Sequence, residues 1–431
     1  MTATLQQDTI EVSSERLYDS LMELAKIGAT PKGGNCRLAL TELDGRGRDL
    51  VTGWMKDAGM TVTVDQVGNI FGRRAGRDPA RAAVMTGSHI DTQPTGGKFD
   101  GCFGVLAGLE MVRTLNDHGI ETDAPIDVAI WTNEEGTRFV PVMMGSGAFV
   151  GKFKLDDILN TMDAQGKRVG DELKAIGYDG REPLGERAVG AYFEAHIEQG
   201  PILEHEQKTI GVVTGSLGLR WYDITVTGME MHAGPTPMPI RQDALYAATF
   251  IMQDVVQNAL DHAPHGRGTV GSATVHPSSR NVIPGKVTFT VDIRHADADE
   301  LEKMRQRLLA TCQAIGDKHR VDIEIKEVSY FPPTPFDTDM VDTVREATRA
   351  SGYPHMDIVT GAGHDAVYLA GVAPTAMIFV PCKDGISHNE IEDAKPEDLG
   401  AGAQVLLHAM LQKAQAQVRC TERAASVAIR Q

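Results

Sequence analysis

The chain has 431 residues, more than one compact core usually organises, so its length predicts about two domains. Hydrophobic residues make up 42% of it and charged residues 23%, which excludes the disordered and fibrous classes. A formal net charge of −17 argues against nucleic-acid binding, because that binding needs clustered lysine and arginine to displace counterions.

The N-terminal segment leads into a predicted amphipathic helix. Its first residues, MTATLQQDTIEVSSERL, lack the basic start and apolar stretch of a secretory signal, and no later segment approaches about 18 uninterrupted apolar residues. We therefore expect no secretion and no membrane span. Four apolar residues then recur at helical spacing: Leu17, Leu21, Leu24 and Ile27. We expect Ser13 or Ser14 to be the N-cap of this helix and Gly28 to end it.

From about residue 80 to 136, short apolar runs that end in polar loops alternate with a helical stretch. AAVMTGSH and PIDVAIWTNEEG have the pattern of buried strands, and GVLAGLEMVRTL between them has that of a helix. The same rhythm resumes near the C-terminus with PTAMIFVP and PEDLGAGAQVLLHAMLQKA. This alternation predicts an α/β sheet.

Residues 217–329 show a different order. The runs LRWYDITVTG, GTVGSATVHP, KVTFTVDIRH and VDIEIKEVSY read as strands, and RQDALYAATFIMQDVVQNAL and ADELEKMRQRLLATCQAI read as helices. Their β-α-β-β-α-β order is that of a ferredoxin-like unit. We expect this small domain to be inserted into a discontinuous α/β domain formed by residues 1–216 and 330–431.

The cysteines indicate a reducing compartment. They are odd in number, widely spaced and without a C-x-x-C pair, which argues against a disulfide framework and a thiolate zinc site. A cytoplasmic location therefore fits best. The five are Cys36, Cys102, Cys312, Cys382 and Cys420.

Acids and histidines cluster where predicted strands end. Ligands of open α/β sheets bind beyond the carboxyl ends of the strands, so such residues there carry extra weight. Taken singly each has a plain explanation: a helix N-cap for the aspartate that precedes GVLAGLEMVRTL, an exposed loop for the glutamate pair, and a surface position for each histidine. Their common position predicts a metal site made by His89, Asp100, Glu135, His196 and His388, with Asp91 and Glu134 beside them.

The donor types and their number suggest which ions would bind. Imidazole and carboxylate donors without thiolate suit Zn, Mn, Co or Ni. Five protein ligands are too many for one open catalytic zinc, and they suit two divalent ions about 3.5 to 4 Å apart with one carboxylate between them. In an extended chain His89 and Asp91 share a face, which would let the Asp91 carboxylate orient the imidazole.

As a set, H-I-D, D-G, N-E-E-G, H-I-E-Q-G and S-H-N-E resemble the M20 metallopeptidase-like amidohydrolases. More narrowly they resemble the hydantoinase/carbamoylase branch, which includes N-carbamoyl-L-amino acid hydrolases, β-ureidopropionases and allantoate amidohydrolases. His196 marks this branch, since peptidases of the superfamily commonly have an acidic ligand there. The resemblance implies a zinc-exopeptidase-like metal-binding domain with an inserted ferredoxin-like lid or dimerisation domain.

The resemblance also implies roles for the metal-site residues. His89, Asp100 and His196 would bind one ion, and Asp100, Glu135 and His388 the other, so that Asp100 bridges. Glu134 would be the general base that takes a proton from the attacking water and later delivers it to the leaving nitrogen. The implied cofactors are two divalent ions per subunit.

Further residues are implied to bind the substrate. His232 would stabilise the oxyanion from the partner subunit of a homodimer, and Asn281 and Arg294 would bind the substrate carboxylate, for which a guanidinium offers a bidentate fork. From position alone, the plainer explanations are a loop histidine for His232 and a surface salt bridge for Arg294. Gln199 has both an acceptor and donors for a ureido group. Gly363 and His364, in G-A-G-H-D, resemble the family's substrate loop.

The expected reaction is hydrolysis of the carbamoyl C–N bond of an N-carbamoyl-L-amino acid, giving the amino acid, ammonia and carbon dioxide. Allantoate presents the same groups and is the nearest alternative substrate. An aminopeptidase or N-acyl amino acid deacylase is a second alternative, against which His196 and Gln199 weigh. A non-catalytic binding protein would be expected to lack Glu134 or a metal ligand, and none is missing.

Overall fold

Apolar runs outside residues 217–329 form strands of a mixed sheet in this computed structural model, which describes residues 10–428. Their order across the sheet is β1-β2-β4-β3-β5-β15-β6-β13, with β14 beside β6. The strands are β1 (Thr61–Val64), β2 (Ile70–Arg74), β3 (Ala83–His89), β4 (Ile126–Trp131), β5 (Val189–Ile197), β6 (Ile210–Ser216), β13 (Thr334–Pro335), β14 (His355–Thr360) and β15 (Thr375–Val380).

Helices cover this sheet. Most of α3 is buried, because it packs against β3 and β5 on one side and against α1 and α12 on the other. The helices are α1 (Ser14–Ala25), α2 (Glu42–Asp57), α3 (Cys102–Asp117), α4 (Met144–Phe149), α5 (Leu155–Asn160), α6 (Val169–Ala175), α7 (Ile202–His205), α10 (Thr338–Ala350), α11 (Asp365–Leu369) and α12 (Pro396–Ala428).

The predicted first helix is confirmed as α1. The Ser13 side chain accepts a hydrogen bond from the Arg16 backbone N–H at 3.1 Å, as an N-cap does. Leu17, Leu21 and Leu24 are buried, and removing each from water stabilises the fold by about 1.5 to 3 kcal/mol. Gly28 follows the helix with φ +91°, a conformation that glycine adopts without steric cost.

Four parallel strands in the middle of the sheet place their carboxyl ends along one edge. β3 is parallel to β4 and to β5, and β5 is parallel to β15. β4 and β15 are buried along their whole length. His89 and His196 lie at the ends of β3 and β5, and Glu135 and His388 lie in the segments after β4 and β15. These candidate ligands therefore lie at one edge of the sheet.

Residues Gly215–Pro335 form a second compact unit of the chain. A four-stranded antiparallel sheet of order β12-β7-β11-β9 forms it, together with helices α8 and α9. Its core includes Tyr222, Ile251, Phe289 and Met304. The elements are β7 (Gly218–Thr227), β8 (Met231–His232), α8 (Ala244–Asp261), β9 (Arg267–His276), β10 (Val282–Ile283), β11 (Lys286–His295), α9 (Ala298–His319) and β12 (Asp322–Phe331).

The unit is longer at its C-terminal end than residue 329, the end expected from the sequence. β12 continues to Phe331, and Thr334 and Pro335 then pair with Ser216 and Gly215. Within the described residues, no helix has the length and apolar character needed to cross a membrane.

Candidate functional site

Asp100 lies at the centre of the candidate site. Its Oδ1 atom is 3.2 Å from Nε2 of His196 and 3.8 Å from Nε2 of His89. Its Oδ2 atom is 3.1 Å from Nε2 of His388, which is also 3.3 Å from Oε2 of Glu135. The two oxygens of one carboxylate thus face two different groups of donors, and within each group the ligand atoms all lie within 4.8 Å of one another.

Two buried imidazoles have a fixed orientation. Nδ1 of His89 is 2.9 Å from the Asp91 carbonyl oxygen, and Nδ1 of His196 is 2.8 Å from the Ile197 carbonyl oxygen. Both contacts require a proton on Nδ1, and the Nε2 atom of each ring faces Asp100. Burial lowers the pKa of His89 to about 4, so this imidazole is neutral at pH 7. Neutral imidazoles held in this tautomer are suited to bind a metal through Nε2.

The glutamate pair that follows β4 extends to both groups. Oε2 of Glu134 is 3.4 Å from Nε2 of His89, whereas Glu135 faces His388. Burial, reinforced by Asp365, raises the pKa of Glu134 well above its usual value, and burial raises the pKa of Glu135 to about 8. Buried carboxylates this close together need nearby positive charge to stay ionised, and divalent cations would provide it. The donor set therefore fits metal ions.

Asp91 contacts its neighbours differently from the arrangement expected. Its carboxylate lies 3.8 Å from Nδ1 of His89, and the backbone carbonyl of Asp91 makes the close contact instead. The carboxylate accepts the backbone N–H groups of Glu134 and Glu135 at 3.3 and 3.2 Å. β3 ends at His89, and two residues later the Asp91 side chain faces the loop after β4. Asp91 therefore orients the glutamate pair.

Asp100 is not the N-cap of α3. The cap residue is Gly101, with φ +64° and no side-chain capping bond. A Cβ atom on Gly101 would lie 2.4 Å from the His89 imidazole. The chain thus reaches α3 through a glycine, which leaves the Asp100 carboxylate free to face the histidines.

Three predicted substrate residues line the same cavity, which has a volume of about 160 Å³: Gln199, Gly363 and His364. Nε2 of Gln199 donates to Oδ2 of Asp100 at 3.0 Å, and its Oε1 atom is buried without a hydrogen-bond partner. His364 is buried against His196, with ring centroids 4.5 Å apart, and its Nε2 is 3.0 Å from Oγ1 of Thr360. The orphaned Gln199 oxygen is available to a donor on a ligand.

The remaining predicted residues belong to the second unit. His232 is the last residue of β8 and Asn281 directly precedes β10, and the Ala233 N–H donates to the Asn281 carbonyl at 2.8 Å. Both residues are exposed. Arg294, on β11, pairs with Asp292, its Nη2 atom 2.7 Å from Oδ2, which is the contact that the salt-bridge alternative expects.

Several buried polar residues of the site were missed in the sequence. Gln93 donates to Glu135 through its backbone and its side chain, and Ser387 contacts Asp100. Glu392 accepts the Asp100 backbone N–H. Glu194 is the residue that could have been found, because it shares a strand face with His196 in AYFEAH and so had to be buried.

Glu194 also belongs to a third group of possible ligands, with His196 and His364. Its two oxygens already accept from the Ser88 hydroxyl and the Ala366 N–H, each at 2.8 Å. These bonds indicate that Glu194 stabilises the first turn of α11 and does not form a separate ion site. Cys102 is buried with its Sγ atom 3.1 Å from Arg37, and no described group of possible ligands includes a cysteine.

Comparisons with known proteins identify the family to which this chain is similar. A family model described as peptidase family M20/M25/M40 matches residues 85–412. An N-carbamoyl-L-amino-acid amidohydrolase from Rhizobium meliloti is 52% identical over 404 residues, which cover 94% of this chain and 97% of that protein. An allantoate amidohydrolase from Escherichia coli is 36% identical over 91% of this chain and 96% of its own length.

Among solved structures, an amidase of the hydantoinase/carbamoylase family from Burkholderia multivorans superposes with a TM-score of 0.92. It is 60% identical to this chain, and the match covers 94% of this chain and 99% of the other.

Proposed function

This chain belongs to peptidase family M20/M25/M40, and from that premise we propose that it hydrolyses the carbamoyl C–N bond of N-carbamoyl-L-amino acids. Water adds to the carbamoyl carbonyl and the bond to the amino-acid nitrogen breaks. The amino acid leaves, and the carbamate that remains decomposes to ammonia and carbon dioxide. The 52% identity to an enzyme of this name supports that substrate over allantoate, for which the identity is 36%.

The observation that carries the proposal is the position of Asp100 between two donor groups. His89 and His196 would hold one divalent cation with Oδ1, and Glu135 and His388 would hold a second with Oδ2. Zn suits these donors, as do Mn, Co and Ni. Bound cations would acidify water and polarise the scissile carbonyl.

Glu134 would move the proton. Its carboxylate is next to His89 and its backbone N–H is held by Asp91, so it is oriented without being needed as a ligand. It would accept a proton from the attacking water and return it to the departing nitrogen. Burial among other carboxylates makes it readily protonated, which suits this exchange.

The substrate-binding roles follow from donor and acceptor types. The unpartnered oxygen of Gln199 would accept from the terminal NH₂ of the ureido group. Gly363 and His364 line the same cavity and would border the same group. Arg294 and Asn281 would bind the substrate carboxylate, with Arg294 exchanging its contact to Asp292 for the ligand.

We further propose a homodimer in which the second unit of one subunit supplies His232 to its partner as the oxyanion donor, and serves as lid and dimerisation domain. The exposure of His232 and of Trp221, Tyr246 and Leu260 supports a surface that meets another chain. A cytoplasmic location is supported by the described cysteines, which are unpaired thiols.

The test is a substrate panel. Purified protein stripped with a chelator and reloaded separately with Zn, Mn, Co or Ni would be offered N-carbamoyl-α-amino acids, N-carbamoyl-β-alanine, allantoate and a dipeptide. We expect ammonia release from the N-carbamoyl-L-amino acids, dependent on the added metal. Turnover of the dipeptide alone would refute the proposal, and a preference for allantoate would replace the substrate.

A further inference from the structure

Glu392 lies behind Asp100 and is buried, with 1% of its surface exposed. Its Oε1 atom accepts two consecutive backbone N–H groups, from Phe99 at 2.8 Å and from Asp100 at 3.1 Å. Far apart in sequence, the loop after β15 and the loop before α3 are thus joined at one carboxylate. A single buried oxygen that accepts two consecutive backbone N–H groups fixes the backbone from which the Asp100 side chain projects.

The other oxygen of Glu392 reaches the Asp100 side chain through a hydroxyl. Oγ of Ser387 is 2.8 Å from Oε2 of Glu392 and 3.0 Å from Oδ2 of Asp100. Glu392 therefore contacts Asp100 from both sides, directly through the backbone and indirectly through Ser387. The same loop contains His388, so one interaction network sets the separation of Asp100 and His388.

A glycine makes room for this carboxylate. A Cβ atom on Gly97 would lie 2.0 Å from the Glu392 carboxyl carbon. Gly97 does not have a positive φ, so alanine suits its backbone and would only displace Glu392.

From this geometry we infer that Glu392 is a positioning residue, which orients the bridging Asp100 for the metal ions. The inference rests on the proposed metal centre and deepens it. Groups that orient a metal ligand without contacting the metal change metal affinity when they are removed. Glu392 acts by geometry, so an amide of the same shape should replace it: its oxygen accepts the two N–H groups, and its NH₂ donates to Ser387.

Zn²⁺ affinity of the chelator-stripped full chain, measured by competition with a chromophoric chelator, tests this role. For Glu392→Ala and Gly97→Ala we expect affinity to fall by about 10- to 100-fold. Ser387→Ala should fall less, because the backbone bonds remain. Glu392→Gln should stay within about threefold of wild type. Glu397→Gln is the matched control, since Glu397 is exposed in the first turn of α12.

Circular dichroism melting of every variant establishes which ones fold. Folded Glu392→Ala or Gly97→Ala with wild-type affinity would overturn the inference. So would a Glu392→Gln variant as weak as Glu392→Ala, because charge and not position would then be responsible. If Glu392→Ala does not fold, Gly97→Ala and Ser387→Ala give the result. A wild-type chain that takes up no Zn²⁺ would refute the metal centre and this inference together, whereas normal uptake with unaffected variants refutes only the role of Glu392.

Discussion

At the scale of single residues, two adjacent glutamates with the same side chain have different environments. Glu135 accepts a hydrogen bond from Gln93 and faces His388. Glu134 faces His89, and burial together with neighbouring carboxylates raises its pKa. Asn133, before them, has φ +54°, which turns the chain sharply after β4. Position within the turn therefore gives the two glutamates different neighbours, as the proposed roles of ligand and base require.

Glu134→Gln should abolish proton transfer but keep the metal. The amide has nearly the same shape and cannot accept and return a proton, so kcat should fall by about 10²- to 10⁴-fold. Elemental analysis should give the wild-type metal content. A variant with wild-type kcat would remove Glu134 from the reaction.

Asp91→Asn should lower kcat by about 10- to 100-fold. An amide has one acceptor oxygen for the two backbone N–H groups that Asp91 now accepts, so the glutamate pair would be less well oriented. Asp78→Asn, at an exposed position, provides the control. Equal kcat and KM for both variants and the wild type would contradict this role.

At this scale, the sequence predicts the candidate ligands but not the residues that orient them. His89 and His196 end apolar strands, and Asp100 precedes the next helix. All three belong to motifs, so the sequence pattern alone marks them as candidate ligands. No local sequence pattern marks Glu392 as buried. It is buried by contacts with distant residues such as Asp100, 292 residues away. The Asp91 assignment also needed the structure, because the end of β3 decides which atoms face His89.

At the scale of elements, long periodic segments were predictable and short ones were not. α1 and the strands that end in the site follow from apolar spacing. Strands β8 and β10 have two residues each, too few for any period, yet they hold His232 in place. Likewise, the N-cap residue of α4 is Met143, which has φ +48° and makes no side-chain capping bond. No capping residue in the sequence therefore indicates where this helix begins.

The entry into α3 can be tested with a pair of alanine substitutions. Gly101→Ala and Gly119→Ala both put a side chain at positive φ, +64° and +61°, at opposite ends of the helix. Each should lose about 1 to 2 kcal/mol of unfolding free energy. Only at Gly101 would the Cβ overlap the His89 ring; Gly119 has open space.

We therefore expect Gly101→Ala, and not Gly119→Ala, to lose bound metal and activity. Thermal unfolding combined with elemental analysis separates the two effects. Equal metal content in both variants would mean that His89 tolerates the displacement.

At the scale of the whole molecule, the chain order of its parts was predictable, but the exact limits of the second unit were not. The change from βα alternation to a β-α-β-β-α-β order is visible in the sequence. The end of that unit at Pro335 depends on Thr334 and Pro335 pairing with β6, which local sequence does not encode. The structure pairs Arg294 with Asp292, two residues earlier on the same strand. The sequence left open whether this arginine forms a salt bridge or binds a ligand carboxylate.

The proposed sharing of sites between subunits predicts complementation. His232→Ala and Glu134→Gln should each be nearly inactive as homodimers. Mixed and reassociated in equal amounts, they should recover about a quarter of wild-type activity, because half of the dimers would contain one intact site of two. Light scattering would check the dimer, and no recovery in a proven mixed dimer would contradict the sharing.

The position of β15 affects how the nascent chain folds on the ribosome. β15 lies between β5 and β6 in the sheet, although residues 198–374 are synthesised after β5 and before it. At about 5 to 20 residues per second, the hydrogen-bonding edge of β5 stays open for roughly 9 to 35 s. Open apolar edges recruit other strands, so this interval is when the polypeptide is most prone to aggregate. Slower translation through the second unit should increase its dependence on chaperones.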